Sequence, residues 1–446
     1  MPEQPAPTAV PLQASALAAA IVLILSLTTV VVASSNVRPV SDYQQHTLLL
    51  GSDLALLVLA LLSVGGLRSA LIAWRRHACV LAAGILGLAL VPSFLLNPSD
   101  RGVAALARWV GALALGLTVA AVRRDGRRLV LGALALVSLT HLAVAAAERA
   151  AEGTIGLGAL GEPSAYEIGG RYASSGLTVH PYVLAAWCAV TGTALLALGF
   201  RCTTSSRLSR VAGVGAFAGI GLTMSRAGAV ACFLGLSALT VGAWRARAAQ
   251  KAGEHDVWSR TGVTTVLAAG TAFFLGVLVD LSGWVSRAGQ ATGSVDALSS
   301  GRSALLRQAW SLLGDNLLTG VGPGRYVIAL SERPELVALS DQSPRPVHLI
   351  PLLLVVEGGL LVIPALVLLT IAIGRACLRG GAPAVAVTLA MLPFLALDHL
   401  AWSYPQGILL TGLWLGALDL LAQGGEVDDA DAPVGPAPVH VTAPPP

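Results

Sequence analysis

Residues 78–124 read ACVLAAGILGLALVPSFLLNPSDRGVAALARWVGALALGLTVAAVRR, two apolar runs separated by a short polar turn. Each run is close to the ~20 residues that an α-helix needs to cross the hydrocarbon core of a bilayer. Because a helix satisfies its own backbone hydrogen bonds in lipid, the stretch predicts two membrane-spanning helices joined at one face. Arg123 and Arg124 at its end mark the face that the positive-inside rule assigns to the cytoplasm.

The rest of the chain repeats this pattern. Its 446 residues are 55% hydrophobic and 12% charged, with a mean hydropathy of +0.75. That composition excludes a water-soluble globule, because one core could not hide so much apolar surface. We therefore predict an all-α polytopic membrane protein with about twelve transmembrane helices. The predicted spans are residues 12–33, 48–66, 78–96, 103–122, 129–147, 179–200, 209–224, 227–244, 262–282, 347–372, 382–397 and 406–423.

Basic residues between the spans alternate from one side to the other and predict the topology. The connections rich in arginine fall on one side, which is the cytoplasmic side, and both termini share it. The transmembrane domain is then 12–423 in a plasma (inner) membrane, flanked by disordered cytoplasmic tails, 1–11 and 424–446. Two long loops, 148–178 and 283–346, lie on the outer face, the second between the ninth and tenth helices.

The sequence does not predict nucleic-acid binding, metal binding by cysteines or a cofactor. The net charge of +4 comes largely from cytoplasmic loops, and no basic face with interleaved aromatics predicts nucleic-acid binding. Five cysteines lack the spacing of metal ligands, and no cofactor is predicted. The spacing of Asp429 and Asp431 suits a metal-binding pair, but it lies in the tail and is interpreted as a solvated acidic patch. Asp42 in the first outer loop keeps a metal-using variant open.

Short polar motifs recur where apolar runs meet the outer face. A charge at the hydrocarbon boundary costs on the order of 2 kcal/mol or more, so each such position is a candidate functional site. The large outer loop also contains a helical pattern over 303–313, with apolar residues at three- and four-residue spacing, and then a glycine-rich turn. In chain order the motifs are Arg171 with Gly176 and His180-Pro181, TMSRAG at 223–228, SGR at 300–302, LTGVGPG at 318–324, PVH at 346–348, EGG at 357–359, and Asp398-His399 with Trp402 and Gln406-Gly407.

This order of motifs, over residues 165–423, resembles the O-antigen ligase and polymerase superfamily. The resemblance implies a GT-C-like membrane glycosyltransferase that moves a glycan from an undecaprenyl diphosphate carrier to a lipid or glycan acceptor at the outer face. It implies that Arg226 and Arg302 stabilise the departing diphosphate and that His348 activates the acceptor. Such a transfer is expected to be metal-independent and inverting. Further substrate contacts are expected at Arg171, His180, Gly322, Gly324, Glu357, Asp398, His399 and Gln406.

Simpler interpretations of these residues stay open. Arg226 could snorkel to lipid headgroups, and Arg302 could be an exposed loop charge. His348 could be a hydrogen-bonded histidine at a helix start, the Asp398-His399 pair could cap a helix, and the glycines could simply form a turn. Leu349 follows His348, where superfamily members often carry asparagine.

Alternative functions also remain. We favour a ligase, with a repeat-unit polymerase of the same superfamily as the alternative, because both use the same donor chemistry. A transporter or flippase of lipid-linked glycans is a second alternative, since many helices and a few buried charges describe those proteins too. A catalytically inactive scaffold is a third. The sequence does not determine the oligomeric state.

Overall fold

The fold is known from a computed structural model. It describes residues 10–26, 31–34, 48–122, 124–163, 166–168, 170–201, 206–251, 258–289, 302–339 and 344–423. Asp42, Asp429, Asp431 and most of the two predicted tails lie outside these residues, whereas residues 10 and 11 belong to the first helix.

Helices dominate the described chain, as the apolar runs predict. Two short antiparallel ribbons interrupt them, so the fold is mostly rather than entirely α-helical. The elements are α1 Val10–Leu25, β1 Val31–Ser34, β2 Leu48–Leu50, α2 Gly51–Ile72, α3 Ala78–Leu96, α4 Asp100–Ala121, α5 Arg124–Ala151, β3 Glu167–Ile168, β4 Arg171–Tyr172, α6 Pro181–Arg201, α7 Ser206–Leu222, α8 Arg226–Lys251, α9 Trp258–Val279, α10 Leu281–Gly289, α11 Arg302–Asp315, α12 Tyr326–Ser331, α13 Pro334–Val337, α14 Ile350–Gly358, α15 Val362–Leu397, α16 Leu400–Ser403 and α17 Pro405–Ala422.

Eight helices in the described part of the chain are long and apolar enough to cross a membrane, namely α3, α4, α5, α6, α8, α9, α15 and α17. A multi-pass membrane protein is therefore confirmed, while the count of twelve spans stays a prediction. The centre of the bundle is formed by α6 and α17, whose apolar windows are 94% and 89% buried. By contrast the windows of α9 and of the first half of α15 are only 22% buried, so these segments lie at the periphery of the bundle, whereas 382–397 carries most of the buried residues of α15.

The first two predicted spans are wrong at their boundaries. The first was expected to run through residue 33, but α1 ends at Leu25 and Val31–Ser34 form a strand. The second was expected to begin as a helix at residue 48, but Leu48–Leu50 pair with β1 before α2 begins. Valine-rich sequence favours extended backbone, which explains why hydropathy alone misjudged this region.

The predicted span 347–372 is divided between two helices. Gly359 adopts a φ of 73°, and a Cβ there would lie 2.2 Å from the carbonyl oxygen of Leu318, so the chain turns where only glycine fits. A helix from residue 350 to 358 precedes this turn, and α15 follows it.

A second turn folds α15 back on itself. Its 36 residues would measure about 54 Å if straight, well beyond the hydrocarbon core. Gly381, with φ 62° and ψ −151°, breaks the helix into 362–380 and 382–397. The break agrees with the predicted start of a span at 382, but the preceding helix runs eight residues beyond the predicted end at 372. The indole Nε1 of Trp402 donates to Glu357 Oε2 at 2.6 Å, so the chain just before and just after α15 meets at one face.

Glycines allow the central helix α17 to approach α4 closely. A Cβ at Gly412 would lie 2.1 Å from the carbonyl oxygen of Ala112, and one at Gly416 would lie 2.3 Å from that of Gly116. Small residues at such positions let helix backbones touch, which is a main source of packing energy between helices in lipid. The pairing of α4 with α17 therefore has no room for a side chain at these sites.

We expect the substitution Gly412→Ala to destabilise the protein by about 1–3 kcal/mol, because the added methyl group must push two backbones apart. The melting temperature of the full-length protein in detergent measures this. Gly374→Ala is the matched control, since a Cβ there meets nothing within 4 Å. Equal melting temperatures for the two variants would contradict the close contact of α4 with α17.

Candidate active site

A cavity of about 390 Å³ opens where α6, α8 and α11 begin and α15 ends. We call this end of the bundle the cavity face. Among its described lining residues the cavity has four arginines, three histidines and one carboxylate, so arginine cations outnumber acidic groups. The lining residues are Tyr166, His180, Tyr182, Arg226, Ala227, Val230, Arg287, Arg302, Arg345, His348, Leu397, Asp398, His399 and Tyr404.

A tight turn between α7 and α8 places Arg226. Met224 is fully buried with a φ of 50°, a left-handed conformation that is uncommon for a residue with a side chain. The Oγ of Ser225 accepts from the backbone N–H of Gly228 at 3.1 Å, and the Oγ1 of Thr223 accepts from that of Ser225 at 3.2 Å. These bonds cap α8, so its first residue, Arg226, starts the helix at the cavity wall.

The long connection between α9 and α14 supplies the other three arginines. Arg287 lies on α10 and donates from Nη2 to the hydroxyl of Tyr182 at 2.5 Å. Arg302 is the first residue of α11 and donates from Nη2 to the carbonyl oxygen of Leu397 at 2.8 Å. Arg345 lies in a segment without regular secondary structure before α14. Neighbouring elements thus hold the arginines at a shared cavity.

Donor capacity remains on two of these guanidinium groups. Within the described chain, no protein hydrogen bond reaches the Nε of Arg302 or the Nε and Nη2 of Arg345, although all three atoms are buried. Burial lowers the pKa of Arg302, an effect that the charge of Asp398 counteracts and those of Arg226 and Arg287 reinforce. A buried donor without a partner is costly, so these groups favour an anionic ligand.

His180 presents one ring nitrogen to the cavity as a donor. Its Nδ1 accepts from the backbone N–H of Tyr182 at 3.1 Å, so in the neutral ring the proton is on Nε2. Burial lowers the pKa of His180 to about 4, against a smaller opposing effect of Asp398, and the neutral form prevails at pH 7. Nε2 has no protein partner among the described residues and suits an oxygen of a ligand.

His348 and His399 form an edge-to-face pair, with ring centroids 5.0 Å apart. His399 also stacks on Tyr404 at 5.4 Å. Burial lowers the pKa of each histidine to about 3, with His399 and two nearby arginines adding to the effect at His348. Both rings are therefore neutral at pH 7. Nδ1 of His348 is buried and has no protein hydrogen-bond partner within the described chain.

Asp398 provides the carboxylate of the cavity and also caps a helix. Its Oδ1 accepts from the backbone N–H groups of His399 and Leu400 at 2.6 and 3.0 Å, at the start of α16. The capping interpretation of this pair thus has direct structural support, while the side chain still lines the cavity. Its negative charge partly offsets the arginines.

Glu357 lies outside the cavity lining and anchors the glycine-rich turn instead. Its side chain is buried and accepts from the backbone N–H groups of Gly324 at 2.8 Å and Tyr326 at 3.3 Å, besides the indole of Trp402. Gly322 and Gly324 have φ values of 99° and 70°, and their Cα atoms face Asn97 and Arg101. The described contacts of these three residues are with protein and support a role in holding the turn.

Two further predicted substrate contacts also lie apart from the cavity lining. Gln406 is buried and ties three segments together, since Nε2 donates to the carbonyl oxygens of Ser26 and Leu177 at 3.0 and 3.4 Å and Oε1 accepts from the N–H of Val179 at 3.3 Å. Arg171 is exposed on β4. Of the predicted set, the structure brings together Arg226, Arg302, His348, His180, Asp398 and His399.

Sequence reasoning missed Arg287 and Arg345. Arg345 carried a usable signal, because it lies between two prolines three residues before His348, in a segment whose backbone is restricted. The sequence around Arg287 gave no such indication, because its short amphipathic helix resembles many others on membrane surfaces.

The arrangement suits a ligand with several adjacent negative charges. Guanidinium groups grip phosphate oxygens in pairs of hydrogen bonds, and several of them around one cavity match a diphosphate better than a single carboxylate. Neutral imidazoles beside them can donate to, or accept from, hydroxyl groups. An anionic, hydroxyl-bearing substrate therefore fits both parts of the cavity.

A comparison with known families agrees with this chemistry. Residues 211–370 match the profile of the family described as O-antigen ligase. The matched segment contains all four cavity arginines and His348. A search of curated proteins finds no match. The resemblance to the O-antigen ligase superfamily that the motifs indicate is thus confirmed over residues 211–370, in a chain whose described part has eight helices long and apolar enough to cross a membrane.

Proposed function

We propose that this protein is a GT-C-type membrane glycosyltransferase that moves a glycan from an undecaprenyl diphosphate carrier to a lipid or glycan acceptor. The observation that carries the proposal is the convergence of four arginines with His348 in one cavity. Displacing a diphosphate from a sugar builds negative charge on the leaving oxygens, and preorganised guanidinium groups stabilise that charge. These arginines replace a divalent cation in this role, which makes the transfer metal-independent.

The step we propose is a single displacement at the anomeric carbon. Nδ1 of His348 takes the proton of the acceptor hydroxyl, and the acceptor oxygen forms the new bond to the anomeric carbon. The bond from that carbon to the diphosphate oxygen breaks, and the carrier diphosphate leaves with the electron pair. Attack opposite the leaving group inverts the configuration. Arg302 and Arg345, whose buried donors lack protein partners in the described chain, are proposed to hold the leaving group.

The reaction is proposed to take place at the outer face of the plasma (inner) membrane, with both chain termini in the cytoplasm. Arginines Arg75, Arg375 and Arg379 cluster at the opposite end of the bundle, where the positive-inside rule predicts cytoplasm. The concentration of cavity charges at one face also favours an enzyme over a transporter, whose polar residues usually lie near the membrane midplane.

Within the superfamily we propose a ligase, in agreement with the description of the matching family. A polymerase of repeat units would use the same donor and the same arginines, so the acceptor alone separates the two.

Replacing Arg302 or Arg345 with glutamine should lower the rate of glycan transfer by about 100-fold or more, because each variant removes a charged donor from the leaving diphosphate. The rate is measured with lipid-linked glycan donor and full-length protein in vesicles, with and without EDTA. EDTA should leave the wild-type rate unchanged.

Arg307→Gln is the matched control, because Arg307 lies on α11 close to Arg302 but is exposed and outside the cavity lining. Full activity of both cavity variants, or loss of activity in the control alone, would refute the assignment of the diphosphate site. A requirement for magnesium or manganese would refute metal independence.

The pH dependence should distinguish buried histidines from an exposed histidine base. Burial lowers the pKa of His180 to about 4 and those of His348 and His399 to about 3, so these rings stay unprotonated from about pH 8 down to about pH 5. We expect kcat/KM to be level over that range and to fall below it. His348→Gln should lower kcat by about 100-fold without changing the amount of protein in the membrane.

A fall in kcat/KM centred near pH 6.5, the ordinary pKa of histidine, would contradict the buried environment of these rings. A normal kcat for His348→Gln would assign proton transfer to another group, with its neighbour His399 as the first candidate.

Deletion of the gene should separate the two transfer reactions. A ligase acts on finished chains, so its loss should cause long carrier-linked glycans to accumulate, whereas loss of a polymerase leaves single carrier-linked units. Analysis of lipid-linked intermediates and surface glycans measures the difference. Accumulation of single units would overturn the ligase assignment, and accumulation on the cytoplasmic leaflet alone would point to a flippase.

A further inference from the structure

A second cationic pocket, of about 450 Å³, lies at the end of the bundle opposite the cavity face. Three arginines from two segments meet there, Arg75 from the connection between α2 and α3 and Arg375 and Arg379 from α15. None of them takes part in the proposed transfer. The pocket is also lined by Trp74, Ala78, Ala372, Ala376, Asp419 and Ala422.

Contacts within the protein hold this pocket in shape. Arg375 and Arg379 are four residues apart on a helix and so share one face. Nη1 of Arg379 donates to the carbonyl oxygen of Arg75 at 3.2 Å, which joins the two segments. The guanidinium carbon of Arg75 lies 5.6 Å from the ring centroid of Trp74. Arginine side chains that usually spread into solvent are thus gathered around one space.

The acid in the pocket is engaged with the backbone. The Oδ1 and Oδ2 atoms of Asp419 accept from the N–H groups of Cys79 and Val80 at 3.0 and 3.1 Å, at the start of α3. Asp419 is 2% exposed, whereas Arg375 and Arg379 are exposed. The accessible part of the pocket is therefore positive, and an anion can approach it.

An apolar groove of about 690 Å³ continues from this pocket. The two share Trp74, Ala78, Ala372 and Arg375, and the rest of the groove is lined almost entirely by apolar side chains of α2, α3, α4 and α15. Along α3 the groove runs from Ala78 to Leu88, about 15 Å at 1.5 Å per residue. That is half of the ~30 Å hydrocarbon core and therefore the depth of one leaflet.

We propose that the pocket and groove together bind one anionic phospholipid of the leaflet opposite the cavity face. The arginines would bind the phosphate, and an acyl chain would lie in the groove between α2 and α4. A free phosphate would not occupy the groove. The ammonium group of a zwitterionic lipid would be repelled by the same arginines. The positive-inside rule predicts this leaflet to be the cytoplasmic one, which is rich in anionic lipid.

Native mass spectrometry of the full-length protein tests the proposal, with equimolar phosphatidylglycerol and phosphatidylcholine added in detergent. One phosphatidylglycerol should be retained preferentially. The double variant Arg375→Gln/Arg379→Gln should retain at least about five-fold less of it. Gly84→Leu should have a similar effect with the arginines intact, because Gly84 lines the groove and a Cβ there meets only Leu113 at 3.9 Å.

Arg247→Gln is the matched control, since Arg247 is exposed near the same end of the bundle on α8 but lies outside the pocket lining, and it should retain the lipid like wild type. Equal retention of phosphatidylcholine, or unchanged retention in both the arginine and the groove variants, would overturn the proposal. Displacement of phosphatidylglycerol by an equimolar polyprenyl phosphate would overturn the choice of a phospholipid. Displacement of phosphatidylglycerol by inorganic phosphate at the same concentration would show that the site binds small anions and would overturn the phospholipid proposal.

Discussion

Mutual repulsion among four guanidinium groups is the constraint that the cavity face must satisfy. Each group prefers water, and gathering them at a membrane boundary costs energy twice, once for lost hydration and once for like charges brought together. The fold offsets part of this cost with a nearby carboxylate, a tyrosine hydroxyl and the carbonyl oxygen at the end of α15. An anion bound among these groups would lower the remaining cost.

The same constraint explains how the cavity is supported. A short turn capped by Ser225 sets the position of Arg226, and Asp398 accepts from the backbone N–H of Leu400 at the start of α16. Behind them, Glu357 binds the glycine-rich turn and Trp402, and Trp402 packs edge-to-face on Trp109 at 5.5 Å. Some of the residues predicted as site residues therefore line the cavity, whereas others, such as Glu357, support the segments that form it.

Hydropathy was sufficient for most of the fold. Residues 78–96 and 382–397 were predicted within a few residues because an apolar run and a helix in lipid obey the same length rule. The strand at 31–34 was missed because valine is compatible both with a helix in lipid and with an extended strand. The break at Gly359 was missed because hydropathy does not show a change of backbone direction. Among the candidate site residues, motif order pointed to Arg226, Arg302 and His348, which share the cavity. It could not separate Glu357 from them, since a buried carboxylate that binds backbone looks the same in sequence as one that binds a ligand.

The order of the cavity residues along the chain has a consequence for biosynthesis. All four arginines precede residue 346, whereas the carboxylate of Asp398 and the ring of Tyr404 are synthesised some fifty residues later. Until α17 enters the membrane, the nascent protein carries a cluster of arginines without the carboxylate of Asp398 and a bundle without one of its two central helices. Chains released early would therefore be unbalanced in charge and loosely packed, and quality-control proteases should recognise them readily.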